Sequence, residues 1–409
     1  MNDSEGVAMA NRVGTEAAQS SRLFQVDGLR AIAALSVVFF HYTTQFDRKF
    51  SHVLPTNLEF SYGFLGVNLF FVISGFVIHM TLDRSASPLD FVISRFSRLF
   101  PAYWTAIFLT WTIVPAIGLT GYDIRWQEAA INLSMLQAFL SVRNVDGVYW
   151  SLQVELIFYV WMLFLWTVRL HDRSILVCIT WVSVSLGASI AQAVWGLRVP
   201  YTINYFLLLD WIPWFALGIT ICVANKSPSF ELKHWLLVLV AFAAIAAKLN
   251  WPTMLMGIFS FWGVLLASRN KMTVLAWGPL VYFGAISYPL YLLHEQIGWA
   301  VIRGVELWWP HSWPAILIAL LCTVGLASLL HSIVETRCSQ AIRRAYRKSR
   351  LAIDALNFNR KKWAVGAAVT IVCCALALGV TARIKRSEDP SALSFIQSGR
   401  LLNAQSERR

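Results

Sequence analysis

Eleven stretches of mainly apolar residues run through this chain, each close to the ~20 residues a helix needs to cross a bilayer. They cover roughly 30–47, 62–81, 99–120, 148–168, 174–196, 203–224, 233–248, 251–268, 283–303, 313–334 and 363–382. Short charged loops separate them. Inside lipid the backbone must satisfy its own polar groups, and helices do so within one segment. The pattern therefore predicts an all-α fold, a polytopic membrane helix bundle of about ten core transmembrane helices plus one C-terminal transmembrane helix. Composition agrees: 57% of the residues are hydrophobic and 14% charged, about half the charge of a soluble domain.

The net charge of +12 would suggest nucleic acid in a soluble protein. Here the basic residues sit in loops beside apolar runs, so they are read as setting topology and meeting anionic lipid or a phosphorylated substrate, with no nucleic acid as partner. Placing the N-terminus in the cytosol puts 21 Lys and Arg residues on that side and seven in the opposite loops. The excess predicts an N-in orientation. Residues 1–23 are polar and lack a signal-peptide core, so they are expected as a disordered cytosolic segment and the first apolar run as a retained anchor. The remaining divisions are a membrane domain over 24–345, a basic linker over 346–362, the extra helix at 363–382 and a short extracytoplasmic tail at 383–409. Five of the six cysteines fall in or at the end of apolar runs and none forms a metal-ligand spacing, so no metal is expected.

Ionisable groups within spans are costly, and they point to function. In the first span Arg30 and His41 are eleven residues apart, three helical turns plus about 20°, so they share a face roughly 16 Å apart. Arg30 falls at the cytosolic boundary and His41 near mid-bilayer. A neutral imidazole there suits a general base; the alternative is a buried histidine hydrogen-bonded to a neighbouring helix. Glu155, entering with the fourth span, differs from His41 in depth by about 5 Å on the helical rise, which allows a histidine–carboxylate contact. The alternative is a structural cap near the interface. Arg95 and Arg98, at i and i+3, suit phosphate binding through forked guanidiniums, or topological anchoring. Ser287, Tyr291 and His294 line one polar stripe of the ninth span, where Pro289 is expected to kink the helix. The stripe faces a wet cavity or carries a structural hydrogen-bond network. Gly278-Pro279, within Ala276–Tyr282, suggests a short interfacial helix. Lys248–Pro252 reads as a tight turn. His79, Asp210 and Glu335 read as interface residues.

Taken in order, Asp27-Gly28-Leu29-Arg30 through His41, Gly63–Phe76, Arg95 to Trp104, Trp150 to Glu155, Ser287 to His294, and Val334-Glu335 with Arg343-Arg344 resemble the motifs of the acyltransferase-3 family, which includes O-antigen and exopolysaccharide O-acetyltransferases. The resemblance covers roughly residues 24–345. It implies a ten-helix core in the bacterial inner (plasma) membrane, with a cytosolic N-terminus and acetyl-CoA or another acyl-CoA docking from the cytosol as donor. It implies His41 and Glu155 as catalytic residues and Arg30, Arg95 and Arg98 as the acyl-CoA site. Asp27, Asn68, Ser287, Tyr291 and His294 would support them. Three positions depart from the family. Asn68 stands where Asp or Glu is common, Glu295-Gln296 follows His294 where a proline two residues on is usual, and Thr336-Arg337 replaces Lys-Pro.

The expected function is that of a membrane-embedded O-acyltransferase moving an acyl, in the first place acetyl, group to a hydroxyl of a carbohydrate or lipid-linked glycan acceptor at the extracytoplasmic side. Direct attack on the thioester and an acyl-histidine intermediate are both compatible with these residues. The main rival is a glycan or lipid-linked sugar transporter or flippase, in which the same buried groups would form a proton or substrate path. A sensor or scaffold without chemistry is a third.

Overall fold

The computed structural model describes residues 23–54, 59–248 and 250–355, the last five without side chains. The expected N-terminal segment, the extra helix at 363–382 and the tail lie outside the described residues, as does the end of the basic linker. Among the described residues the structure is helical throughout, with no strand. In chain order the helices are α1 (Phe24–Lys49), α2 (Gly63–Arg84), α3 (Pro88–Ile117), α4 (Trp126–Asn132), α5 (Gly147–Thr167) and α6 (His171–Trp195). There follow α7 (Tyr201–Phe206), α8 (Ile212–Ala224), α9 (Leu232–Ala246), α10 (Trp251–Ser268), α11 (Gly278–Leu293) and α12 (Glu295–Trp308). Last come α13 (Ser312–Leu329) and, through a π-helical turn at Leu330–Glu335, α14 (Thr336–Ala355). Among the described residues seven helices are long and apolar enough to cross a membrane, the joined α13–α14 among them; α8, α9 and α11 are shorter and apolar. The chain is an all-α polytopic membrane bundle.

Two apolar runs that read as single spans are broken. The run at 203–224 splits into α7 and α8 around Leu208, whose φ is +55°. The carbonyls released by the break find donors elsewhere. Trp161 and Trp181 donate their indole N–H to the Phe206 and Leu207 carbonyls at 2.8 and 2.6 Å, and Ser185 donates to Leu209. Lys248 and Asn204 hold the Asp210 carboxylate at 2.8 and 2.6 Å. All of these partners except Asn204, which lies in α7, are on other segments, so hydropathy alone is blind to the break.

The run at 283–303 is likewise two helices. Helix α11 runs through Pro289 and ends at Leu293, with His294 between it and the next helix. The new helix α12 begins at Glu295, where the Asp146 carboxylate from a distant segment accepts the Gln296 N–H at 3.1 Å. A carboxylate at a helix N-terminus satisfies an orphan donor and complements the dipole. Gly278-Pro279 opens α11 itself, after a single 3₁₀ turn at Thr273–Ala276, and is no separate interfacial helix. The turn before α10 is as expected: Asn250 caps that helix through Thr253.

Helices α1 and α11 lie backbone against backbone. A Cβ built at Gly284 would sit 2.1 Å from the Asp27 carbonyl oxygen. This close approach fixes the register of the two helices that carry His41 and His294.

Candidate active site

His41 opens a π-helical turn, His41–Gln45, in the middle of α1. Such turns shift the ladder by one residue and re-aim the side chains around them. The His41 Nδ1 atom lies 2.8 Å from the Val37 carbonyl oxygen and 3.2 Å from His294 Nε2. His294 Nδ1 lies 2.8 Å from the Tyr291 carbonyl. A carbonyl oxygen can only accept, so the hydrogen-bond network assigns the proton of each ring to Nδ1. His294 Nε2 is then an acceptor facing His41, and His41 Nε2 carries a lone pair. Trp299 donates its indole N–H to the His41 carbonyl at 2.8 Å, which fixes the backbone at the turn. The ring is 12% exposed.

The carboxylate that faces His41 Nε2 is Glu295, with Oε1 at 3.9 Å. Glu295 is buried, and against it lies the fully buried Asp146. Asp146 is held by two backbone donors, Val148 N–H at 3.2 Å and Gln296 N–H at 3.1 Å. Burial, and after it the neighbouring Glu295 charge, hold the Asp146 carboxyl well above the usual carboxylate range. The segment that delivers Asp146 is itself buried and hydrogen-bonded. Asn132 bridges the Arg143 carbonyl and the Val145 N–H, and Asn144 accepts from Gln137 and Gln153. At its start Arg143 forks onto Glu128 at 3.2 and 3.3 Å. Burial works to raise the Glu128 carboxyl, but the Arg143 and Arg125 hydrogen bonds outweigh it and hold the group below its ordinary range. Toward the same end of α1, Lys49 lies 5.1 Å from the Trp299 ring centre and donates to the Tyr122 hydroxyl at 3.3 Å. Trp111, Tyr122, Val145 and Gln296 meet around a shallow depression beside this corner.

Glu155 was expected against His41 and is found elsewhere. Its Oε1 accepts from Ser74 Oγ at 2.6 Å, and the Tyr159 hydroxyl also bonds it. The depth argument constrained height along the bundle and not direction around the helix. Helix α5 turns this face toward α2, and the histidine's carboxylate neighbour comes from α12 instead. Neither Glu295 in that role nor Asp146 was read from the sequence. The signal available was the departure after His294, where an acidic residue follows directly.

The polar stripe of α11 divides three ways. Ser287 is satisfied on its own helix by the Gly284 carbonyl at 2.8 Å. The Tyr291 hydroxyl meets Ser151 Oγ at 2.7 Å and ties α11 to α5. His294 alone faces His41. Asn68 is half-buried in α2, two residues before Phe70, whose ring meets Tyr291 edge to face. Asp27 lies in the first turn of α1, where its carbonyl abuts Gly284.

The arginines gather at the other end of α1. Arg30 and Arg95 both lie within electrostatic range of Arg98, and Arg95 within range of Arg343. Arg98 is paired with Glu335, whose second oxygen meets His331 Nδ1 at 2.7 Å. Glu335 is thus a buried partner of Arg98. The Arg98 guanidinium also lies 5.9 Å from the Tyr288 ring centre. Arg95 donates to Ser94 Oγ at 3.2 Å, while its buried Nε has no hydrogen-bond partner. Arg343 donates to Ser97 Oγ at 3.1 Å. Guanidiniums this close repel one another unless an anion lies between them.

Among the described residues one group, His79, Asp83 and Cys222, brings metal-ligand atom types within 4.8 Å of one another. Two of the three are engaged: Ser174 meets His79 Nε2 at 3.0 Å, and Lys226 neutralises Asp83 at 2.5 Å. A cation there would have to displace the ammonium.

The family model described as an acyltransferase domain matches residues 23–332. YrhL of Bacillus subtilis (strain 168) is 27% identical over 362 residues, 76% of this chain and 54% of that protein. The peptidoglycan O-acetyltransferase OatA of Listeria monocytogenes is 26% identical over 369 residues, 76% of this chain and 55% of its own. The O-acetyltransferase OatA of Staphylococcus aureus is 29% identical over 188 residues, 40% of this chain and 29% of its own. The chain thus spans about half the length of the first curated relatives it matches. No solved structure matches it. With a family model covering most of its length and the ordered motifs assembled around His41 and the arginine cluster, the chain belongs to the acyltransferase-3 family of membrane acyltransferases.

Proposed function

We propose that this protein is an O-acyltransferase of the bacterial inner membrane, with its N-terminus in the cytosol. It takes an acyl group, in the first place acetyl, from a cytosolic acyl-CoA and delivers it to a glycan hydroxyl at the extracytoplasmic side. The Listeria relative, named a peptidoglycan O-acetyltransferase, supports a glycan acceptor. The observation that carries the reading is the pairing of two ends of one helix: an arginine cluster around Arg30, and a lone-pair imidazole nitrogen at His41.

At the donor end, Arg95 is the available cation, since Arg98 already has Glu335. Phosphate oxygens of coenzyme A would relieve the repulsion among Arg30, Arg95 and Arg98 through charge-assisted hydrogen bonds. Eleven residues of α-helix separate Arg30 from His41, roughly 16 Å, a distance an extended pantetheine arm covers. At the reacting end, the acceptor's O–H bond breaks as its oxygen bonds to the thioester carbon, and the proton passes to His41 Nε2. The carbon–sulfur bond then breaks, and the imidazolium returns the proton to the leaving thiolate. His294 keeps the proton on His41 Nδ1, so that Nε2 stays basic. Glu155 serves at a distance, by holding Ser74 and Tyr159 in the wall between the two ends.

The test is transfer of labelled acetyl from acetyl-CoA to a chitooligosaccharide by the full chain in proteoliposomes. A His41→Ala protein that inserts normally is expected to lose transfer, and an Arg95→Ala protein to weaken it through the KM for acetyl-CoA. Full activity in His41→Ala removes the base. Acceptor uptake without acylation would establish transport instead.

A further inference from the structure

The two buried carboxyl groups beside His41 have no part in the scheme above. Three independent observations place them together. Glu295 Oε1 stands 3.9 Å from the imidazole nitrogen that takes the acceptor's proton. Asp146 is fixed in place by two backbone N–H groups, one at the start of α5 and one at the start of α12. Residue 147 is glycine, and a Cβ there would lie 2.4 Å from Glu295 Oε2 and 2.7 Å from Oε1. The Glu295 carboxyl can occupy this corner only because Gly147 leaves room for it. Its Oε2 has no hydrogen-bond donor of its own.

Two carboxyl groups in contact in a buried site do not both ionise; the pair keeps one proton and one negative charge between them. The other charged and titratable groups around the pair are Tyr42 and Lys49 from α1, His294 at the end of α11, Tyr122 from the connection after α3, and Tyr149 and Tyr291. Lys49 is engaged by the Tyr122 hydroxyl and the aromatic faces, and His294 serves as acceptor for His41. The carboxyl pair is therefore the negative charge that faces His41 Nε2.

We propose that Glu295 and Asp146 act as a single one-proton carboxyl pair whose shared negative charge positions His41 and stabilises its imidazolium, with Gly147 as the residue that admits it. This rests on the reading of His41 as the base. When His41 takes the acceptor's proton, the new positive charge forms against the pair, whose own proton count is unchanged. When the thiolate leaves, the charge disappears again. Glu295 and Asp146 are positioning residues, since they act through His41.

The experiment measures two things on the full chain in proteoliposomes. One is the pH dependence of acetyl transfer from acetyl-CoA. The other is the pH dependence of His41 carbethoxylation by diethyl pyrocarbonate, read by mass spectrometry and independent of turnover. For Glu295→Gln the expected result is a kcat reduced about tenfold or more with KM for acetyl-CoA within about twofold. The acid limb of transfer and the carbethoxylation midpoint both move to lower pH, by about one unit or more. Asp146→Asn removes the partner with which Glu295 shares its proton, and Gly147→Ala evicts the carboxyl without altering any charge. Gly147→Ala is expected to reproduce the Glu295→Gln pH shift. Glu295→Asp, which keeps the charge, restores part of the rate, as a merely structural role would not require. Unchanged midpoints in Glu295→Gln and Gly147→Ala overturn the pair. If the Glu295→Gln midpoint shifts in full while the separate His41→Ala protein retains transfer, the pair stands and the base is overturned.

Discussion

His294 Nε2 lies 3.2 Å from His41 Nδ1, and the two imidazoles meet edge to face with centres 4.9 Å apart. The contact joins α1 to the end of α11 and selects which nitrogen of His41 is basic. Replacing His294 by Ala leaves Nδ1 with the Val37 carbonyl alone. Transfer is expected to fall roughly tenfold, with the KM for acyl-CoA unchanged, since the loss lies in the base and not in donor binding. Steady-state kinetics with acetyl-CoA as the varied substrate check this.

Arg95 and Arg98 sit three residues apart but are not equivalent. Arg95→Ala removes a cation with no acidic partner among its hydrogen bonds. It is expected to raise the KM for acyl-CoA about tenfold or more, as loss of a charge-assisted hydrogen bond of about 1.5–3 kcal/mol implies. The thermal midpoint should hardly move.

Arg98→Ala instead strands Glu335, which is 2% exposed. Breaking a buried ion pair from one side costs about 3–5 kcal/mol, so this variant is expected to unfold at markedly lower temperature. The double variant Arg98→Ala/Glu335→Gln should recover most of that stability without recovering donor affinity. Thermal unfolding in detergent and binding of coenzyme A, measured side by side, separate the two effects.

Ser74 holds Glu155 at 2.6 Å. Ser74→Ala is expected to cost about 1 kcal/mol of stability by leaving a half-buried carboxylate short of a donor. It should leave the pH profile of transfer in place. A profile that moved with Ser74→Ala would put Glu155 in direct communication with His41.

The Arg143 fork onto Glu128 gives the α4–α5 connection a defined response to acid. The Glu128 carboxyl is held below its ordinary range, so its contribution to stability is full above the unfolded value of roughly pH 4.5 and is lost as pH falls through the lowered one. Arg143→Gln should remove that dependence. Limited proteolysis of the connection between pH 3 and 6 (about the range of carboxylate titration) checks it, with the wild type opening only at the acid end.

Much of the bundle was legible because hydropathy reports burial in lipid directly. The first five spans and the one at 251–268 coincide with helices to within several residues at most ends, α3 starting earliest. What hydropathy hides is a break whose loose carbonyls are satisfied by other helices, as at Leu208 and His294. Of the site, the alignment of Arg30 with His41 and the Arg95–Arg98 pair follow from helical spacing alone, a local property. The choice of Glu155 over Glu295 as the carboxylate near His41 failed because it turned on which faces of distant helices meet. Asp146 lay outside every span and gave no sign, since its importance comes from capping a helix nearly 150 residues away.

Because unbroken α-helix connects Arg30 to His41, α1 works as a ruler. On the function proposed above, it would set the length of the carrier on which an acyl group can arrive. A short activated donor such as acetyl phosphate, anchored by its phosphate at Arg95, would leave its carbonyl far below the imidazole. One residue inserted between Arg30 and His41 would swing the ring by about 100° while lifting it only ~1.5 Å. The chain tolerates changes in how the donor is gripped more readily than changes in this one span of helix.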